Sequence, residues 1–180
     1  HNVRNTDVVC AIDDERCMAL MRLFNEPEGR AHLERAGVDG ETAGSLGLMG
    51  ISCICNLIAA IKTARHFDMD SRDVIFLPLT DSMELYATRM LEQHDLEGPY
   101  TRDSAIRDHA QHLRGVGCDH MRELTYRDRK ALHNLKYYTW VEQQGRTVEE
   151  LDRLWDPEFW TEMFAQVEAW DRQIERFNAM

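Results

Sequence analysis

Three short apolar runs separated by stretches of helical periodicity constrain this chain most. Val8–Ile12 (VVCAI), Leu48–Ile51 and Val74–Leu77 (VIFL) are short, and their apolar residues run continuously rather than alternating. That is the pattern of strands buried on both faces. After the first run, Asp13, Asp14 and Glu15 suit a helix N-terminus, and Cys17, Leu20, Met21 and Phe24 repeat at helical spacing. Residues 25–47 are broken by Pro27, Gly29, Gly37, Gly40, Gly44 and Gly47, leaving one expected helical turn around His32–Ala36. Ser52 is placed to cap a further helix. Ile54, Leu57, Ile58, Ile61 and Ala64 form its apolar stripe, with Lys62 on the polar side. Pro78 stops the third run, and Thr80-Asp81-Ser82 opens a helix through Met83, Leu85, Tyr86 and Met90. Crossovers of this length join parallel strands. The expectation is therefore an α/β segment over 1–90, with strands 8–12 and 74–77 in one parallel sheet and Ser82 near its carboxyl edge. From residue 91 strand signals vanish. All four tryptophans (Trp140, Trp155, Trp160, Trp170) lie beyond it, and 91–180 reads as a helical C-terminal extension.

Charge narrows the function classes. Twenty-one basic residues against 32 acidic ones give a formal net charge of -11 over 180 residues. A field of that sign repels phosphate backbones and anionic lipids, so nucleic-acid and membrane-surface roles are disfavoured. No apolar run approaches the roughly 18 residues a membrane-spanning helix needs. Five cysteines, an odd number without a regular framework, read as reduced thiols of a cytoplasmic protein. The first residue is His1 rather than Met, which reads as a fragment or a processed product.

Chemistry is expected at the strand–turn–helix junctions Gly50-Ile51-Ser52 and Thr80-Asp81-Ser82, because open α/β sheets bind ligands at the carboxyl ends of their strands. The plainer reading of Ser52 and Ser82 is that each caps a helix. Cys53-x-Cys55 at a helix start reads either as a reactive thiol pair or as two small residues packed under the helix. His109, His112, Cys118 and His120 include possible zinc ligands, but their spacing matches no usual zinc module, and solvated histidines are the simpler reading. Tyr137, Tyr138 and Trp140 suit a packing or interface anchor, or stacking on a ligand. Arg127–Lys130 reads as a solvated helix face.

The stretch GISCICNLIAAIKTARHFDMDSRDVIFLPLTDSMELYATRM resembles the C-terminal segment of the fold-type II pyridoxal phosphate enzymes. This is the cysteine synthase and threonine synthase group, or tryptophan synthase β-like family. Gly50-Ile51-Ser52 matches the helix start of cysteine synthases. Asp81-Ser82, Glu84 and Tyr86 match their Pro-Asp-Ser-Gly-Glu-Arg-Tyr motif. Asp7-Val8-Val9 to Asp14-Glu15 resembles the preceding strand and helix start, so the likeness covers roughly the first 90 residues. His133–Gly145 (HNLKYYTWVEQQG) is similar to the tail of a branch described as a pyridoxal-phosphate-dependent β subunit. Cys53, Ile54 and Cys55 stand where the family has Ser-Gly-Ala, and Met83 where it has Gly, which leaves the substrate open.

The resemblance implies the C-terminal portion of a parallel-sheet domain and a pyridoxal 5'-phosphate site rimmed by Gly50, Ile51, Ser52, Thr80, Asp81 and Ser82. The Ser82 hydroxyl would hydrogen-bond the pyridine nitrogen, a milder arrangement than a carboxylate and suited to β-elimination or β-replacement on an amino acid. Gly50 would let backbone approach the cofactor. The family's Schiff-base lysine and phosphate loop have no counterpart among Lys62, Lys130 and Lys136 or the glycines here. The implied partners are a lysine-bearing N-terminal half, a further copy in a homo-oligomer and a small amino-acid substrate. The chain alone is expected to be inactive. Two further readings stay open: the β subunit of a pyridoxal-phosphate-dependent amino-acid thiolase, and a non-catalytic oligomerisation or interaction domain.

Overall fold

The computed structural model describes residues 2–180. It corrects the expected fold class: the protein is 67% helical, and its sheet is a two-stranded antiparallel ribbon, not a parallel α/β layer. The strands are β1 (Val8–Cys10) and β2 (Met121–Glu123). The second falls where the sequence carries no strand signal. The chain divides into two compact units, residues 10–121 and residues 2–9 with 122–180. It passes from one to the other within β1 and within β2.

The larger unit is built on α1 (Asp14–Asn25), α2 (Pro27–Arg35), α3 (Gly40–Leu46) and α4 (Ile51–His66), followed by a 3-10 turn (Met83–Tyr86), α5 (Ala87–Glu97), α6 (Arg102–Asp108) and a π-helical turn (His109–Arg114). Asp13 caps α1 by accepting the Glu15 amide, as its acidic start predicts. The helical repeat also holds: Cys17, Leu20, Met21 and Phe24 are buried in one core with Leu33, Met49, Cys53, Ile54, Ile58, Ala105 and Val116. Residues 25–47 form two helices rather than one turn. Pro27 sits in the first turn of α2, where its missing N–H costs nothing, and Asp39 caps α3. Gly29 lies against α1 so closely that a Cβ would stand 2.1 Å from the Leu23 carbonyl oxygen, so the glycine is what lets the two helices meet.

The three expected strands fare differently. Val8–Cys10 is a strand, but it pairs with β2, and Val9 is exposed. Of Leu48–Ile51, Met49 makes one isolated antiparallel bridge to Ser82, Gly50 is the N-cap of α4 and Ile51 is its first residue. Val74–Leu77 forms no strand, and Val74 and Phe76 are 88% and 91% exposed. A strand exists only where a second chain segment meets its backbone donors and acceptors. No described segment comes alongside this run, and Pro78 after it has no N–H to give.

The smaller unit holds α7 (Tyr126–Tyr137), a π-helical turn (Tyr138–Gln143), α8 (Val148–Arg153), α9 (Pro157–Ala165) and α10 (Val167–Asn178). Thr125 and Asp128 form a capping box on α7, and Thr147 and Glu150 do the same on α8. Val3, Leu124, His133, Leu151 and Leu154 are buried. The Lys130 ammonium lies 4.7 Å from the centre of the Trp155 ring, and Arg129 pairs with Asp7 at 2.7 Å. The charged run Arg127–Lys130 is thus partly committed to structure. No described residue of α9 or α10 is buried.

Candidate functional site

The two motifs singled out in the sequence meet in the larger unit, and Asp81 joins them. Its carboxylate accepts from the Ser52 amide (3.2 Å), the Ser52 hydroxyl (2.9 Å), the Cys53 amide (3.1 Å), the Cys53 thiol (3.0 Å) and the Tyr86 hydroxyl (2.6 Å). The first amides of a helix have no partner within it, and Asp81 supplies one from 29 residues away in sequence. Ser52, expected as the N-cap, stands at the second helical position and is capped rather than capping. The Gly50 amide donates to the Asp81 carbonyl at 3.1 Å, and the Met83 amide to the Leu48 carbonyl at 3.0 Å. Gly50 is required here for a reason the sequence did not suggest: a Cβ would stand 2.5 Å from the Asp81 carboxylate.

Burial alone would raise the Asp81 pKa. Hydrogen bonds from Cys53, Tyr86 and Ser52 outweigh that and hold the carboxyl well below the usual carboxylate range. The same contact pushes the Tyr86 phenol up, first through its hydrogen bond to Asp81 and then through burial. The charged form of Asp81 is thereby favoured, and it ties the α4 N-terminus to residues 80–86.

Cys53 is fully buried, and its sulfur sits in the same web. It accepts from the Thr80 amide (3.2 Å) and the Asp81 amide (3.4 Å). That favours the structural role over a reactive pair. Ser82 caps the 3-10 turn through the Glu84 amide at 3.5 Å, which leaves its hydroxyl proton free to be donated. Gly50, Ile51, Ser52, Thr80, Asp81 and Ser82 therefore form one rim, although the sheet expected beneath them does not exist.

The fit to pyridoxal phosphate is partial. Ser82 offers a donor of the right kind for a ring nitrogen. The Ser52 and Cys53 amides do not suit a phosphate, since the Asp81 carboxylate already occupies them. Lys62, expected on the polar side of α4, is only 1% exposed; its ammonium reaches the Asp119 carbonyl at 2.5 Å and carboxylate at 3.2 Å. It is committed to that ion pair and offers no free amine to the rim.

The histidine cluster separates. His109 Nδ1 lies 2.9 Å from His32 Nε2, Cys118 is exposed, and no described His, Cys, Asp or Glu residues form a group of three or more that would hold a metal. Burial, then the neighbouring His32 and Arg114, lower the His109 pKa. Cys17 in the core is pushed up to about 12 by burial and by Cys55. In the smaller unit, Asn134, Tyr137 and Tyr138 line a shallow recess of about 280 Å³.

Sequence reasoning missed a second feature of the larger unit, a cleft of about 400 Å³ between α1, α5 and the α6–π turn, with the buried Arg22 in its lining. The apolar neighbours of Arg22 in sequence, Met21 and Leu23, are the only signal that it enters the interior. No family model, curated protein or solved structure matches the chain.

Proposed function

We propose that this chain contributes one wall of a pyridoxal phosphate site in an enzyme acting on an amino acid by β-elimination or β-replacement. The lysine that bonds the cofactor comes from another segment or chain. The observation that carries this reading is the rim itself. Two motifs in the family order are held edge to edge by the Asp81 carboxylate, with the Ser82 hydroxyl proton uncommitted. The bound cofactor would supply the electron sink for chemistry at the amino-acid α-carbon. The residues of this chain would do simpler work. Ser82 would donate to the ring nitrogen without protonating it, and Asp81 would hold the rim together through Ser52, Cys53 and Tyr86.

The test is a visible-absorbance titration of the full chain with pyridoxal phosphate, then borohydride reduction and peptide mapping. Lys62, Lys130 and Lys136 are expected to remain without specific labelling. Co-expression with a lysine-bearing N-terminal half of a fold-type II enzyme should produce the cofactor's colour, and Ser82→Ala should then alter cofactor affinity and the absorbance maximum. Stoichiometric labelling of one lysine of this chain, or a Ser82→Ala spectrum identical to the parent, refutes the reading.

A second reading, a non-catalytic module that pairs with another copy of itself, is favoured by one feature of the smaller unit. Along α10, Val167, Trp170, Ile174 and Phe177 recur every three and then four residues, the seam of like helices that associate. Ile174 and Phe177 are exposed. Sedimentation equilibrium of the parent and of Ile174→Glu/Phe177→Glu decides it: a dimer lost in the variant supports it, and a monomeric parent ends it.

A further inference from the structure

Tyr137 and Tyr138 stand at the junction of α7 and the π-helical turn of the smaller unit. Adjacent residues of a helix point about 100° apart and do not ordinarily meet. Here the two rings lie 5.8 Å apart, centre to centre, at 87° to each other. Short π-helical segments are rare and recur at functional sites. Both rings line a recess of about 280 Å³, together with Asn134 on α7 and Val148, Leu151 and Asp152 on α8. Leu151 is buried, while Tyr137 and Tyr138 are 38% and 59% exposed, so a solute can reach the rings.

The chemistry of the lining says what such a solute carries. The face of an aromatic ring is electronegative, so two rings set at right angles make a corner that attracts a cation. Asp152 is the one charged residue among the described residues of the lining, and its sign is the same. Val148 and Leu151 offer no side-chain acceptor. A primary ammonium would therefore give up water for few hydrogen bonds, whereas a methylated ammonium has no N–H to satisfy and gains from the apolar contact. No lysine, arginine or histidine is among the described residues of the lining, so a phosphate attached to the cation would find no ionic partner there. The volume suits a head group rather than a drug-sized molecule.

We propose that this recess binds a small quaternary ammonium compound of the choline class, its trimethylammonium head in the corner between Tyr137 and Tyr138 and its charge toward Asp152. The Asn134 amide is placed to hydrogen-bond the hydroxyl. The site lies wholly within the smaller unit and does not depend on the pyridoxal phosphate reading.

The test is a nuclear magnetic resonance titration of the full chain with choline, ethanolamine, phosphocholine and dimethylbutanol, the uncharged carbon isostere of choline. Choline should saturate one site with a Kd of about 1 mM, its methyl protons moving upfield in the ring currents of the tyrosines. Ethanolamine and the isostere should each bind about tenfold or more weakly, and phosphocholine no more tightly than choline. Tyr138→Ala should abolish saturation. Tyr138→Phe keeps the ring and should hold the affinity to within about twofold. Asp152→Asn alters an exposed residue, should fold normally, and should weaken choline by about fivefold, which keeps the test sound if Tyr138→Ala does not fold. No saturation by about 20 mM choline, equal affinity for ethanolamine or the isostere, tighter binding of phosphocholine, loss of binding in Tyr138→Phe, or undiminished affinity in Asp152→Asn each overturns the proposal.

Discussion

Replacing Asp81 by alanine should melt the larger unit by an amount that its hydrogen bonds allow to be worked out. Among the described residues the carboxylate is the only cap on the Ser52 and Cys53 amides, and loss of such a cap costs about 1–2 kcal/mol. It also accepts from the Tyr86 and Ser52 hydroxyls. Hydrogen bonds to a charged group contribute about 1.5–3 kcal/mol each, but these hydroxyls are partly exposed and regain water, so only about 1–2 kcal/mol is lost with them. The sum is about 3 kcal/mol, and at roughly 4 °C per kcal/mol for a unit of this size the Tm should fall by about 12 °C. The assay is thermal unfolding by far-UV circular dichroism, with amide exchange at Ser52 and Cys53 to localise the loss. Asp81→Asn should lose nearly as much, because its amide group would face donors. A Tm within about 3 °C of the parent, or unchanged exchange at Ser52 and Cys53, refutes the argument that Asp81 organises the rim.

Three other outcomes follow from the same geometry. Gly29→Ala forces a methyl into the Leu23 backbone, and urea denaturation should show a loss of about 3 kcal/mol or more, since two helices must separate. Thr125→Ala removes one half of the capping box on α7 and should lower stability by about 1 kcal/mol in the same assay, with tryptophan fluorescence of the smaller unit as the probe. Burial holds His109 and His133 below the ordinary histidine pKa, helped by His32 and Arg114 for the first and by Lys130 and Lys136 for the second. Each folded histidine therefore binds its proton less readily than its unfolded counterpart. The stability this confers is complete above about pH 6.5 and is lost as pH falls through the lowered values, by at most about 1.4 kcal/mol per pH unit for each group. The urea midpoint should drop between about pH 7 and pH 5, and His109→Asn should flatten the drop; a level parent profile would contradict the assignment.

What the sequence determined by itself is local. Asp13 starting α1, the stripe Cys17–Phe24 and the stripe Ile54–Ile58 were legible because capping and helical burial depend on residues within a turn or two. Gly50–Ser52 and Thr80–Ser82 were expected at the edge of one parallel sheet; they meet instead through a single antiparallel bridge and the Asp81 carboxylate. Tertiary structure decided the rest. Val74–Leu77 is apolar enough for a buried strand, but a strand is a relation between two segments, and no described segment pairs with it. The glycines of residues 25–47 suggested loops, yet Gly29 is helical because contact with α1 requires the missing side chain. Ser52 had the chemistry of a cap, but a carboxylate 29 residues away reached the helix end first. Lys62 read as a polar-face residue and Arg22 drew no reading at all, because nothing in their neighbours reveals a distant acceptor. Asp119 draws the first inside, and the Gly98 and Gln93 carbonyls hold the second there. Charge is buried only where remote partners meet it, and those partners are set by the packing of helices, not by spacing along the chain.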